Sequence, residues 1–238
     1  MKKTVVMTMM AVLMLCCASC MMKPSGNIVK KEYKMKAFDK LDIDLVAHVK
    51  FVQSTDGDYR VRLKCPENYV DLYNFKVKEG ELELAYAKNM QKGIEAKDVN
   101  IIVYSPTLRQ IDSEGIGNIT IDSLNTPSLH IDSEGVSNIS IKDLTTEVLI
   151  VESSGVGNIE LKGKAPKVSF TSSGVGNIIA SELTAEDVKA DISGVGNITC
   201  FASRRIQGNL DGVGSLKYGG HPEQKHLQRN GIGKISEM

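Results

Sequence analysis

The sequence of 238 residues has no tryptophan, few other aromatic residues and no excess of charge of either sign. Lys and Arg together number 29, Asp and Glu also number 29, and no basic stripe is evident. Proteins that bind nucleic acids use basic stripes for the phosphates and commonly aromatic rings for the bases. The composition therefore predicts no nucleic-acid partner.

Cysteine is also scarce beyond the first twenty residues. Three of the five cysteines are Cys16, Cys17 and Cys20, which leaves only Cys65 and Cys200 in the rest of the chain. Two distant cysteines cannot form a disulfide framework, so the fold must depend on its hydrophobic core. Cys200 occupies an apolar position of a repeat, which predicts a small buried residue.

No apolar run is long enough to cross a bilayer. Lys2 and Lys3 precede the run from Val5 to Leu15, and this order is typical of a signal peptide. Ala18 and Ser19 supply the small residues that a signal peptidase needs before Cys20. The segment resembles a bacterial lipobox, although Cys17 stands where Leu is usual.

We therefore predict a lipoprotein signal peptide at residues 1–20, lipid attachment at Cys20 and a short linker at residues 21–28. The predicted location is the cell envelope of a Gram-negative bacterium, with the outer membrane favoured over the inner. The alternative is a cleaved secretory signal that releases a soluble protein. The sequence does not indicate on which side of the membrane the protein lies.

A pentapeptide of the form Gly-x-Gly-Asn-Ile recurs through the second half of the chain. Its first glycines are separated by 20, 20, 19, 20, 18 and 19 residues. The copies begin at Gly115, Gly135, Gly155, Gly174, Gly194, Gly212 and Gly231, and the last two are degraded. Alternating segments enter and leave each copy, which indicates two short strands joined by a glycine corner. One such unit cannot bury its apolar face alone, so the copies must stack.

The sequence thus predicts an all-β fold, a β-solenoid similar to a parallel β-helix, with about seven turns of about 20 residues. The solenoid is expected over residues 105–238, and residues 29–104 are expected to form a β-rich N-terminal region that caps the first turn. Stacking would also align one asparagine per turn into a hydrogen-bonded ladder. The ladder residues are Asn118, Asn138, Asn158, Asn177 and Asn197.

The repeat region and the segment before it resemble the head GIN domain of auto-transporter adhesins, a family of exported bacterial proteins. The resemblance rests on the repeated pentapeptide, on the opening Ala37-Phe-Asp-Lys-Leu-Asp42 and on the Ser-Pro-Thr-Leu stretch at Ser105 to Leu108. It covers roughly Phe38 to Ile235 and implies a β-solenoid with an adhesion-like role. It implies no ligand, and it offers no catalytic residues to transfer.

The sequence has no recognisable catalytic or cofactor motif. A nucleophile elbow, a P-loop and a dinucleotide fingerprint are all missing, and His221 and His226 form only a weak metal pair. We therefore predict no catalytic residues, no cofactor and no metal. Acidic residues instead repeat just before the glycine corners, at Asp112, Glu114, Asp132, Glu134 and Glu152. They form a candidate binding face for a cation, a sugar or a protein, or else an ordinary solvated surface.

The leading functional prediction is an exported, lipid-anchored module for binding or adhesion that is not an enzyme. Its partners would be the membrane, through the lipid, and a polysaccharide or a protein of the envelope or host. Two alternatives remain open. Polysaccharide lyases and hydrolases use parallel β-helices, so a carboxylate pair could perform acid–base chemistry. The solenoid could also serve only as a structural spacer.

Overall fold

The computed structural model of the protein describes residues 22–87 and 98–238. The signal peptide predicted at residues 1–20 and its Cys20 lie outside these residues. The described chain consists almost entirely of strands, in a twelve-stranded sheet 1 and a ten-stranded sheet 2. The two sheets enclose one continuous apolar core. The prediction of an all-β fold is confirmed.

The described part of the N-terminal region supplies seven strands and one short 3-10 helix, Glu67–Leu72. Its strands are β1 (Ile28–Lys34), β2 (Lys40–Asp44), β3 (Val46–Gln53), β4 (Arg60–Pro66), β5 (Tyr73–Lys78), β6 (Glu81–Tyr86) and β7 (Asn100–Ser105). Strands β1, β4, β7 and β3 belong to sheet 1, and β5, β6 and β2 belong to sheet 2.

The repeats supply the remaining strands. Those that enter the corners belong to sheet 2: β8 (Gln110–Ser113), β11 (Ser128–Ser133), β13 (Val148–Ser153), β15 (Lys167–Ser172), β17 (Asp187–Ile192), β19 (Arg205–Leu210) and β21 (Gln224–Arg229). Those that leave belong to sheet 1: β9 (Ile116–Ile121), β12 (Val136–Thr145), β14 (Val156–Lys164), β16 (Val175–Thr184), β18 (Val195–Phe201), β20 (Val213–Gly219) and β22 (Ile232–Glu237). The short β10 (Leu124–Asn125) pairs with β12.

Successive repeats pair in parallel and, around the glycine corners, in register, so each motif residue lies on its counterpart; the register shifts only beyond Ile141 in β12 and beyond Glu160 in β14. Asn138 lies opposite Asn118, for example, and Ile178 lies opposite Ile159. The isoleucine that ends each motif points inward, and Ile119, Ile139 and Ile159 are almost fully buried. Cys200 lies in the same core, where burial raises the pKa of its thiol to about 12. The predicted β-solenoid of about seven turns is confirmed.

The second glycine of most copies lies in close contact with the preceding turn. Gly176 has φ +156°, and a Cβ there would lie 1.7 Å from the carbonyl oxygen of Gly157. An L side chain would fit at such a position only if the backbone changed. The second copy has such a change: Ser137 occupies the position with a φ that is not positive, and its buried hydroxyl lies 3.2 Å from Ser113 Oγ and 3.3 Å from Ser133 Oγ.

The N-terminal region both extends and closes the stack. Strands β2 and β3 lie beside β8 and β9, and β6 and β7 lie on their other side, all in parallel. Strand β4 then pairs antiparallel with β7, β1 with β4, and β5 with β6. The predicted β-rich capping region is confirmed, and two of its strand pairs are further turns of the solenoid. The predicted boundary between residues 104 and 105 stays a prediction.

Candidate functional site

The acidic residues before the corners lie together on the outer side of sheet 2. Asp132 is paired with Asp112 on one side and with Glu152 on the other, so their side chains form one file across neighbouring strands. Glu114 and Glu134 follow at the ends of strands β8 and β11, each just before a corner glycine. The five predicted acidic residues therefore share one surface, which we call the acidic face.

The N-terminal region adds carboxylates that the sequence reading missed. Asp42 on β2 pairs with Asp112, and Glu81 lies with them in a groove of about 240 Å³. Burial is the main cause that raises the pKa of Asp42 to about 6, and the charges of Glu81 and Glu114 add to it. The signal was present in the alternation Leu41-Asp-Ile-Asp44, which places aspartates on the outer side of a strand.

The charge of the acidic face depends on the pKa of Asp132 and on a contact with His130. Burial raises the pKa of Asp132, and the neighbouring carboxylates of Glu134 and Glu152 raise it further. His130 Nε2 lies 3.0 Å from Glu152 Oε2. Among the described residues no group of three or more His, Cys, Asp or Glu has the arrangement of a metal site. The acidic face is thus suited to cationic or hydrogen-bond-donating groups of a partner.

The five predicted ladder asparagines form a continuous chain of side-chain hydrogen bonds along sheet 1. Each Nδ2 donates to the Oδ1 of the asparagine one turn earlier, at 3.2 Å for Asn138, 3.3 Å for Asn158, 2.7 Å for Asn177 and 2.7 Å for Asn197. Asn118 Nδ2 lies 3.3 Å from His48 Nδ1, and Ser215 Oγ donates to Asn197 Oδ1 over 2.6 Å. His48 and Ser215 therefore extend the ladder beyond the motif copies that carry asparagine.

A row of exposed aliphatic side chains runs between the ladder and the acidic face. The residue between the two glycines of every copy points outward, with 47–74% of its surface exposed. These residues, which we call the aliphatic ridge, are Ile116, Val136, Val156, Val175, Val195, Val213 and Ile232. The parallel pairing places them directly above one another over about 30 Å. Their constant β-branched character in the motif was the overlooked signal.

These features define a class of protein, a β-solenoid that presents repeated side chains on long outer faces. Within that class, the chain belongs to the family described as "Putative auto-transporter adhesin, head GIN domain", whose model matches residues 37–222. The resemblance found in the sequence is confirmed. Among the described residues, no helix is long and apolar enough to cross a membrane.

Solved structures of related proteins share the fold. A "putative adhesin" from Bacteroides fragilis is 39% identical, with a TM-score of 0.88 over 91% of this chain and 100% of that one. A "putative lipid binding protein" from Parabacteroides distasonis is 21% identical, with a TM-score of 0.76 over 92% and 99%. A "putative adhesin" from Parabacteroides merdae is 19% identical, with a TM-score of 0.66 over 92% and 100%. A comparison with curated proteins finds no significant match.

Proposed function

We propose that the protein is an exported, lipid-anchored binding module of the cell envelope with an adhesion-like, non-catalytic role. The observation that carries this proposal is the aliphatic ridge. The largest continuous apolar patch on the surface of a monomeric protein is often functional, and this one extends over all seven copies of the motif. The family description and the adhesin-like relatives support the same role.

The partner that fits this surface best is an extended protein segment. The aliphatic ridge offers an apolar centre, and the ladder amides and the acidic face offer polar groups on its two sides. This is the usual arrangement of a protein–protein interface, with an apolar core and a polar rim. A polysaccharide would gain less, because sugar rings bind most strongly to aromatic side chains and the ridge and its polar borders contain none.

Binding is tested by charge reversal on the acidic face. The double variant Asp132→Lys, Glu134→Lys should weaken adhesion to envelope or host proteins, since it reverses two charges beside the ridge. Its thermal stability should be unchanged or higher, because the substitutions relieve repulsion between neighbouring carboxylates. The matched control is the double variant Glu147→Lys, Glu186→Lys, which makes the same change of charge at two exposed sites elsewhere on the solenoid.

Pull-down from envelope fractions and a glycan array, each with wild type and both variants, separate the possibilities. Loss of a protein partner only in the acidic-face variant supports the proposal. Loss of a glycan signal would instead assign a polysaccharide partner. If the wild type and the acidic-face variant behave alike, the acidic face is a solvated surface and the structural-spacer function is favoured.

Anchoring is proposed at Cys20, on the strength of the lipobox-like Ala18-Ser19-Cys20 after an apolar run. The variant Cys20→Ala should lose acyl labelling and leave the membrane fraction. Labelling that persists in this variant would exclude Cys20 as the site, and a soluble wild type would favour the cleaved secretory signal. The proposed location is the outer membrane of a Gram-negative cell.

One observation favours a second function, that of a carbohydrate-active lyase or hydrolase. Burial raises the pKa of Asp42 to about 6, so this carboxyl group is protonated below that pH, and Asp112 and Glu114 lie in the same groove. Two carboxyl groups in one groove can act as acid and base. An assay of polysaccharide cleavage with wild type and Asp42→Asn tests it. Turnover by the wild type that the variant lacks would establish an enzyme.

A further inference from the structure

The first described residues are held against the N-terminal cap. Tyr69 donates its hydroxyl to the carbonyl of Met22 over 2.5 Å. Asn68 accepts from the Ser25 amide over 2.9 Å and donates to the carbonyl of Lys23 over 3.0 Å. Cys20 precedes Met22 by two residues, a span of about 7 Å at most. A lipid on Cys20 would therefore hold this end of the solenoid directly against the bilayer.

The same end carries a concentration of unpaired lysines. Antiparallel pairing of β1 with β4 places Lys30 beside Lys64 and Lys34 beside Arg60 on the outer side of sheet 1. Glu32 is the one acidic residue of β1, and it pairs with Arg62. At this end of the solenoid, on or near β1 and β4, six exposed lysines have no described carboxylate within ion-pair distance: Lys23, Lys30, Lys31, Lys34, Lys36 and Lys64. We call this group the lysine patch.

Part of the lysine patch lines a groove of about 460 Å³. The lining includes Lys30, Lys31 and Lys64, the ion-paired Glu32 and Arg62, and the aliphatic Leu63 and Ile102. Ile28, at the start of β1, is 47% exposed. Ammonium groups around a small groove, with an aliphatic side chain alongside, match a lipid headgroup and the acyl region beneath it.

We propose that the lysine patch binds the anionic headgroups of phospholipids, so that the N-terminal cap lies on the membrane and the C-terminal turns point away from it. This inference rests on the proposed lipid anchor. A lipid on Cys20 would fix only the N-terminus of the chain, and a basic surface is a common second contribution to membrane attachment, one that would here orient the cap on the bilayer. Lysines near an anionic leaflet each strengthen binding about fivefold, and salt weakens that contribution.

The test uses the chain that begins at Met22, which contains every described strand and no site for the anchor. Its co-sedimentation is measured with vesicles of phosphatidylcholine alone and of phosphatidylcholine with phosphatidylglycerol. The variant carries Lys30→Glu, Lys34→Glu and Lys64→Glu. The matched control carries Lys164→Glu, Lys217→Glu and Lys234→Glu, three exposed lysines of the repeats without ion pairs and with the same change of charge.

We expect wild type and control to bind the anionic vesicles and not the neutral ones, with binding reduced at high salt. The lysine-patch variant should bind on the order of 100-fold more weakly. Equal binding to both vesicle types, or equal losses in the two triple variants, would overturn the proposal. Lys→Gln at the same three sites replaces the reversal if the Glu variant melts early.

The two proposals fail separately. Acyl labelling of the full-length protein reports on Cys20, whereas vesicle binding of the chain from Met22 reports on the lysine patch alone. Labelled protein whose chain from Met22 ignores anionic vesicles would keep the anchor and remove the headgroup site. Vesicle binding without acyl labelling would keep the headgroup site and remove the proposed anchor.

Discussion

Gly176→Ala should destabilise the protein through a single added methyl group. Gly176 lies in β16, near the middle of the stack. Its φ of +156° is outside the range that residues with a side chain usually adopt. The new Cβ would also lie 1.7 Å from the carbonyl oxygen of Gly157 in the preceding turn. That oxygen belongs to a paired strand, so it cannot move without disturbing its neighbours.

The expected cost follows from these two contributions. The unfavourable φ costs about 1–2 kcal/mol, and the overpacked contact between turns costs about 1–3 kcal/mol. Together they reduce the free energy of unfolding by about 2–5 kcal/mol, a large part of the usual total. For a chain of this size that corresponds to a melting temperature lower by roughly 5–15 °C.

Gly57→Ala is the matched control. Gly57 also has a positive φ, +76°, but a Cβ there would have no atom within 4 Å. It should therefore show only the conformational cost, about 1–2 kcal/mol. Thermal unfolding, followed by circular dichroism or by calorimetry, would give the melting temperatures of both variants and of the wild type. Equal melting temperatures for the two would refute close contact between turns as the reason for the motif's second glycine.

Three further predictions concern the ladder, the acidic groove and the ridge. Asn158→Ala removes side-chain hydrogen bonds to Asn138 and Asn177 and should cost about 1 kcal/mol in urea unfolding, because water replaces part of this exposed ladder. Asn118→Ala should cost less, because neither of its contacts, at 3.2 and 3.3 Å, is as short as the 2.7 Å bond between Asn177 and Asn158. Folding raises the pKa of Asp42 from 3.8 to about 6, so its contribution to stability is full below about pH 4 and lost as pH rises through 6. Asp42→Asn should therefore stabilise the protein at pH 7 and flatten its pH profile between 4 and 6; an unchanged profile would contradict this. Val175→Ser should leave the melting temperature within about 2 °C, because that side chain is 53% exposed, while reducing adhesion.

The sequence predicted the repeated part of the fold well, because identical residues at a constant spacing must meet when turns stack. The isoleucines after the corners and the ladder asparagines could be placed one above another before any coordinates were known. The turn formed by β2 and β3 was not recognised, since Leu45-Val-Ala-His-Val49 stands where the motif would be. Its position between β7 and β9 also breaks the chain order, which local periodicity cannot reveal.

The site was predicted only in part for a related reason. Asp112, Asp132 and Glu152 share a file because one period separates them, but Asp42 and Glu81 join them through pairing across the N-terminal region. Lys64 reaches Lys30 through an antiparallel pair, which no repeat encodes. The aliphatic ridge was visible in the sequence, but a half-exposed valine and a buried one look alike until the corner fixes which side chain points outward.

The most direct test of the binding role is photo-crosslinking on intact cells. A crosslinking amino acid is placed at Val175 on the aliphatic ridge and, as a control, at Thr184, an exposed residue at the far end of the same strand. The proposed function predicts one discrete adduct from Val175 that excess purified wild type competes away, and none from Thr184. Equal, diffuse labelling from both positions would contradict a partner on the ridge.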